Sequence, residues 1–138
     1  MTTAEMFVNN LIDAQSIVQI GSVDEDGFPS IRAMLKPLKR NGVKEIYFST
    51  HGATNKIKHF VNNPKASLYF YDSNLFKGAM LKGKMEILTA REDKQLLWQP
   101  GNEIHYPGGV DDPNFCVLKF TASSCRCYNQ LHSKDYAL

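Results

Sequence analysis

Two dipeptides constrain this chain more than any other feature: Asp26-Gly27 and Asn41-Gly42, each flanked by runs of β-branched and aromatic residues. A tight hairpin turn needs positive φ at its centre, which glycine adopts freely and aspartate or asparagine tolerates. Both pairs therefore predict antiparallel hairpins. Ser16 to Val23 (SIVQIGSV) reads as the first strand, entering the Asp24-Glu25-Asp26-Gly27 turn. Beyond Pro29, Ile31, Ala33 and Leu35 alternate with Arg32, Met34 and Lys36, so the second strand has one apolar and one partly basic face. Asn41-Gly42 then leads into a third strand over Glu45 to Ser49, and the three are expected to form an antiparallel meander.

Helical signals are short. Thr2 and Glu5 make a capping-box pattern before Val8, Leu11 and Ile12, predicting a helix to about Ala14. Thr54 is placed to cap a helix through Ile57, Phe60 and Val61 that stops at Asn63-Pro64. Thr89 with Glu92 repeats the capping box ahead of Leu96, Leu97 and Trp98, and Pro100-Gly101 ends that helix. Ala66 to Tyr71 and Ala79 to Leu88 read as strands about a polar turn at Asp72, Ser73 and Asn74. Phe115 to Phe120 gives a sixth strand, with another around Arg126 to Tyr128. Residues 102–114, with Pro107, Gly108, Gly109 and Pro113, form a long irregular loop of the kind that compact domains use for function or leave disordered. The expected fold is mainly β: a barrel or strongly curved antiparallel sheet of six to seven strands with short helices, in a single domain spanning 1–138. Trp98 reads as a core residue of its amphipathic helix.

Charge and cysteine usage exclude several classes. The formal net charge is +2 and basic residues are interspersed with acidic ones, so neither a nucleic-acid nor a membrane footprint is indicated. Cys116, Cys125 and Cys127 make an odd count without a CxxC pair, which favours a reducing compartment, the cytoplasm, over a disulfide framework. No apolar stretch is long enough to span a bilayer, and the N-terminal residues lack an export-signal pattern. His51, His59, His105 and His132 show no metal-ligand spacing, so no metal is expected. There is no GxSxG, GxxxxGK[ST] or GxGxxG motif.

One stretch concentrates chemistry. Arg32 lies on the second strand, and Ser49, Thr50, Thr54 and Lys56 follow one hairpin later at a helix start. An anion there would meet free backbone N–H groups, the positive end of the helix dipole, hydroxyls and two cationic side chains. Arg32 could add a bidentate fork. Each residue alone is an ordinary cap or solvated charge; together they outline a phosphate site.

From Gly27-Phe28-Pro29 and Arg32-Ala33-Met34-Leu35, through Tyr47-Phe48-Ser49-Thr50 and Thr54-Asn55-Lys56, to Asn63-Pro64 and the strand before Gly83, the chain resembles the pyridoxamine 5'-phosphate oxidase-like flavin proteins. Trp98 and the segment Tyr106-Pro107-Gly108-Gly109 with Asp111-Asp112-Pro113 resemble its small general-stress-protein branch. The resemblance implies an FMN-binding split barrel and a homodimer with FMN at the interface. It further implies that Arg32, Thr50, Thr54, Asn55 and Lys56 hold the cofactor, Ser49 lies near its ribityl-phosphate arm, and the backbone of Ala33, Met34 and Leu35 runs along the isoalloxazine ring. Asn55 stands where some relatives carry a basic residue, and Lys77-Gly78-Ala79-Met80 replaces a region that bears a glutamine in the vitamin oxidases. The implied activity is flavin-mediated electron or hydride transfer to a small molecule, with no acid or base nominated. The alternative is a non-catalytic flavin, haem or deazaflavin binder or sensor.

Overall fold

The computed structural model describes residues 2–138. Eight strands form one antiparallel sheet: β1 (Ile17–Val23), β2 (Pro29–Leu35), β3 (Lys39–Asn41), β4 (Glu45–His51), β5 (Lys65–Asp72), β6 (Lys77–Leu88), β7 (Phe115–Asn129) and β8 (His132–Ala137). Three helices accompany them: α1 (Thr3–Ala14), α2 (Asn55–Asn62) and α3 (Arg91–Leu97). The sheet runs β2-β1-β5-β6-β7-β4-β3, with β8 also on β7. Its ends, β2 and β3, do not pair, so the barrel is split rather than closed.

The two turns form as expected. Gly27 and Gly42 take φ of 84° and 58°, and Asp24 Oδ1 accepts from the N–H of Asp26 and Phe28 to fix the first turn. Beyond them the expected meander does not exist. β2 stays with β1, while β4 pairs with β7 over Glu45↔Thr121 to His51↔Phe115. Pro37 interrupts the run after β2, and the long ladder to β7 outcompetes a local return. The two expected C-terminal strands are one, Phe115–Asn129, which supports β6 along one edge and shares its other between β4 and β8. The short β3 and the polar β8 raise the strand number to eight, above the expected six to seven.

Alternation puts Val18, Ile20, Ile46, Phe48, Leu68, Phe70, Leu81, Leu118 and Phe120 into one core. The capping box of α1 forms in full, and Val8, Leu11 and Ile12 drive that helix onto β5, β6 and β7. The second capping box does not form: Ala90 is the N-cap of α3 and no side chain caps it. At Gly83 the ladder shifts register, leaving Ser123 as the extra residue of a bulge. A Cβ at Gly83 would lie 2.0 Å from the Thr121 carbonyl oxygen, so the close approach excludes any other residue there.

Candidate functional site

The β1–β2 hairpin builds the site's floor. Its register sets Ile20 opposite Arg32 and Ser22 opposite Ser30, so all four side chains share the inward face. The strand thus turns its basic side in and leaves Ile31 and Leu35 outside. Arg32 Nη1 donates to Ser22 Oγ at 2.9 Å and to the Ile20 carbonyl at 3.3 Å; Nη2 donates to Ser30 Oγ at 3.1 Å and reaches His59 Nδ1 at 3.5 Å. The fork expected to grip a ligand is therefore engaged by the protein, which fixes the guanidinium as a positioned charge. Burial lowers its pKa from the ordinary value.

The second cation comes from α2. Thr54 is its N-cap residue, but the Thr54 hydroxyl donates back to the His51 carbonyl at 3.0 Å and caps no helical N–H. Ile57 N–H donates to the Thr54 carbonyl at 3.2 Å, and no side chain caps the N–H groups of Asn55 and Lys56. Lys56 lies in that turn and is half-buried, and its pKa is lowered by burial and by the nearby Arg32 charge. Neither Arg32 nor Lys56 makes an ion pair among the described residues. Two like charges, partly desolvated and held near each other without a carboxylate, are costly unless an anion joins them.

The other expected residues divide. Thr50 is buried on the inward side of β4 with Phe48, whereas Ser49 follows Tyr47 onto the opposite face. The structure does not bring the two hydroxyls onto one face. Asn55 is exposed at the helix start. Met34 packs against the core, and Ala33 lies outward and exposed with Leu35. Sequence reasoning missed Ser22, Ser30 and His59. Their signal was present: Ser22 interrupts the apolar stripe of Val18 and Ile20, and His59 sits on α2 beside Phe60, three residues after Lys56.

The loop at 102–114 is ordered and holds the turn before α2. Asp112 Oδ2 accepts from Gly108 N–H and Oδ1 from Asn114 N–H, both at 2.9 Å, and these bonds hold its carboxyl below the usual range. The buried Lys94 ammonium donates to the Asp112 carbonyl. Asn114 in turn accepts from Gly52 N–H at 2.8 Å, and the Tyr106 ring stacks on His51. Trp98 and Tyr106 pack with Phe115 in a second small core, so Trp98 is the core residue its helix suggested.

Outside the hairpin, Ile17 stands directly across from Leu35 and Gly21 from Ile31. Ile31 is 71% and Leu35 78% exposed, so this edge strand presents large apolar side chains to its outer face. This face continues over Tyr69 and Met80, and a groove of about 860 Å³ runs across it between Ile31, Ser67, Met80 and Ser124. No helix among the described residues is long and apolar enough to cross a membrane.

A split antiparallel barrel with a pair of unpaired cations at its hairpin is the class that the fold and site define. The pyridoxamine 5'-phosphate oxidase family profile matches residues 5–128, and the chain belongs to that family. A solved Clostridium acetobutylicum protein related to general stress protein 26, of the pyridoxinephosphate oxidase family, is 39% identical, with 97% of this chain and 94% of that one covered and a TM-score of 0.87. The pyridoxine/pyridoxamine 5'-phosphate oxidase of Citrobacter koseri is 32% identical over 96 residues, 67% of this chain but 43% of that protein. The match thus spans less than half the length of this curated relative. A pyridoxamine 5'-phosphate oxidase-related, FMN-binding protein of Nostoc punctiforme shares the fold at 14% identity, with 100% and 98% coverage and a TM-score of 0.66.

Proposed function

We propose that this protein binds FMN at a homodimer interface and works as a flavin-dependent oxidoreductase on a small molecule. The observation that carries the proposal is the Arg32 and Lys56 pair, two partly buried cations at the first turn of α2 with no counter-ion among the described residues. A phosphate monoester supplies the missing charge, and the free N–H groups of the turn supply donors. The exposed strand carrying Ile31, Ala33 and Leu35 offers the apolar surface that a flat ring and a second copy of the chain would both cover. These features fit a flavin mononucleotide, and the FMN-binding Nostoc relative with the same fold supports the choice.

In this scheme Arg32, Lys56 and the α2 turn, with Thr54 and Asn55, hold the phosphate. Thr50, on the inward side of β4, joins the phosphate end, Ser49, on the opposite face, borders the ribityl arm, and the backbone of Ala33, Met34 and Leu35 orients the ring. FMN supplies electron or hydride transfer when bound; the chain supplies binding, orientation and exclusion of water by the partner's surface. No side chain is assigned as acid or base. Absorption spectra of the purified protein, with FMN titration of the apo form and of the Arg32→Ala, Lys56→Ala double variant, test the binding site. Flavin bands in wild type and at least about a hundredfold weaker binding in the variant are expected. Equal affinity in both would remove the site from this pocket. Anaerobic reduction by NADH or NADPH, then reoxidation by candidate acceptors, tests turnover; failure with every donor would leave a binding protein.

A further inference from the structure

We infer that Ser22, Ser30 and His59 are positioning residues that hold Arg32 for phosphate recognition, and so set the preference for a phosphorylated flavin over its unphosphorylated nucleoside. The inference rests on the FMN site proposed above. Arg32 can only donate, so Ser22 Oγ, which accepts from Nη1 at 2.9 Å, is left with its own proton to give. His59 Nδ1 lies 2.7 Å from that oxygen and 3.5 Å from Arg32 Nη2. With the ring's hydrogen on Nε2, Nδ1 would accept from both, the tautomer that satisfies every contact of the cage.

The direction of the chain matters. Every guanidinium donor of the cage runs to a carbonyl, a hydroxyl or an imidazole nitrogen. No carboxylate takes part, so the cage fixes the side chain without spending its charge. Ser22 is 3% and His59 8% exposed, and no buried side-chain polar atom among the described residues lacks a partner. A fully satisfied buried network of this kind locks one rotamer of a side chain that otherwise carries large conformational entropy. His59 also shares a helix with Lys56, three residues earlier, so the same contacts tie α2 to the hairpin and set the spacing of the two cations.

The test compares FMN with riboflavin, which differ only in the phosphate, by fluorescence titration of the full-length apo protein. Ser22→Ala and Ser30→Ala are each expected to lower FMN affinity about fivefold to twentyfold while changing riboflavin affinity less than twofold. His59→Leu should act like Ser22→Ala. His59→Asn, which returns an acceptor oxygen near the place of Nδ1, should restore at least half of the lost FMN preference. A cage that merely stabilises the fold predicts equal loss for both ligands and no rescue by asparagine, and that result overturns the inference. Arg32→Ala and Lys56→Met provide the reference. If they leave the FMN-to-riboflavin ratio unchanged, the phosphate site itself is misplaced. If they collapse the ratio and the Ser22, Ser30 and His59 variants do not, only the positioning role fails.

Discussion

Replacing Lys56 with methionine separates ligand binding from folding, because the two respond with opposite sign. In the free protein the Lys56 ammonium sits half-buried near the Arg32 charge, with no ion pair among the described residues. At an effective dielectric of about 20, neighbouring like charges repel by a few kcal/mol at most, and partial exposure to water reduces this to about 1 kcal/mol or less. Methionine keeps the apolar stem, so loss of charge dominates the change. In a domain of this size about 1 kcal/mol corresponds to roughly 3 to 5 °C in Tm. The apo variant is expected to melt no lower than wild type and up to about 4 °C higher. FMN affinity is expected to fall by about tenfold to a hundredfold, the equivalent of one charge-assisted hydrogen bond. Thermal melts without ligand and parallel FMN and riboflavin titrations measure both. A variant that melts several degrees lower yet binds FMN unchanged would refute the reasoning and make Lys56 a structural surface residue.

The same lysine dictates a pH dependence. Its pKa lies below the ordinary 10.5 because burial and Arg32 disfavour the charged form. Below the lowered value both folded and unfolded chains are protonated, and the cost of the buried charge is present in full. As pH rises through the lowered value toward 10.5, the unfolded chain holds more protons than the folded one, so apo stability climbs. Bound phosphate favours the ammonium, so FMN binding is expected to weaken across that window. Calorimetric titrations that show no pH dependence there in wild type would contradict a lysine contact to the phosphate.

Charging the outward face of β2 with Ile31→Glu and Leu35→Glu is expected to convert a dimer to a monomer in light scattering and to release flavin; a wild-type monomer that retains FMN would dispose of the interface. Gly83→Ala forces a Cβ against the Thr121 carbonyl oxygen and is expected to cost about 3 kcal/mol, seen as a Tm drop of roughly 10 °C, whereas an unchanged Tm would mean the bulge relaxes freely. The Cys127 thiol is pushed up to about 12, first by burial and then by its neighbour Cys125. Its alkylation by iodoacetamide at pH 8 in the folded protein should run at least about a hundredfold slower than that of a free thiol, and mass spectrometry showing ordinary reactivity would overturn this.

What was legible in the sequence was local. Asp26-Gly27, Asn41-Gly42 and the Thr2–Glu5 box each act within a few residues, and all three formed where they were read. Thr89 with Glu92 failed because the N-cap of α3 falls one residue later, at Ala90, in the register that docks the buried Leu97 against β7. The partner of β4 was not legible, since nothing near Tyr47 or Phe48 says that residues 115–121 will pair with them. The site was half visible. Arg32 and Lys56 declare themselves by charge, but Ser22 and His59 acquire meaning only once the hairpin register and α2 bring them together. The orientation of β2 is the instructive case. Alternation alone sends the apolar side of a strand inward, yet here Arg32 points in and Ile31 and Leu35 point out. An arginine can take the inner side because serines, a backbone carbonyl and the His59 ring stand within reach of its donors, and the apolar residues can take the outer side only if something covers them. The same inversion that turns Arg32 inward toward Lys56 therefore leaves an unfinished surface beside it, so that anion binding by the proposed cation pair and covering of the face are expected to stand or fall together.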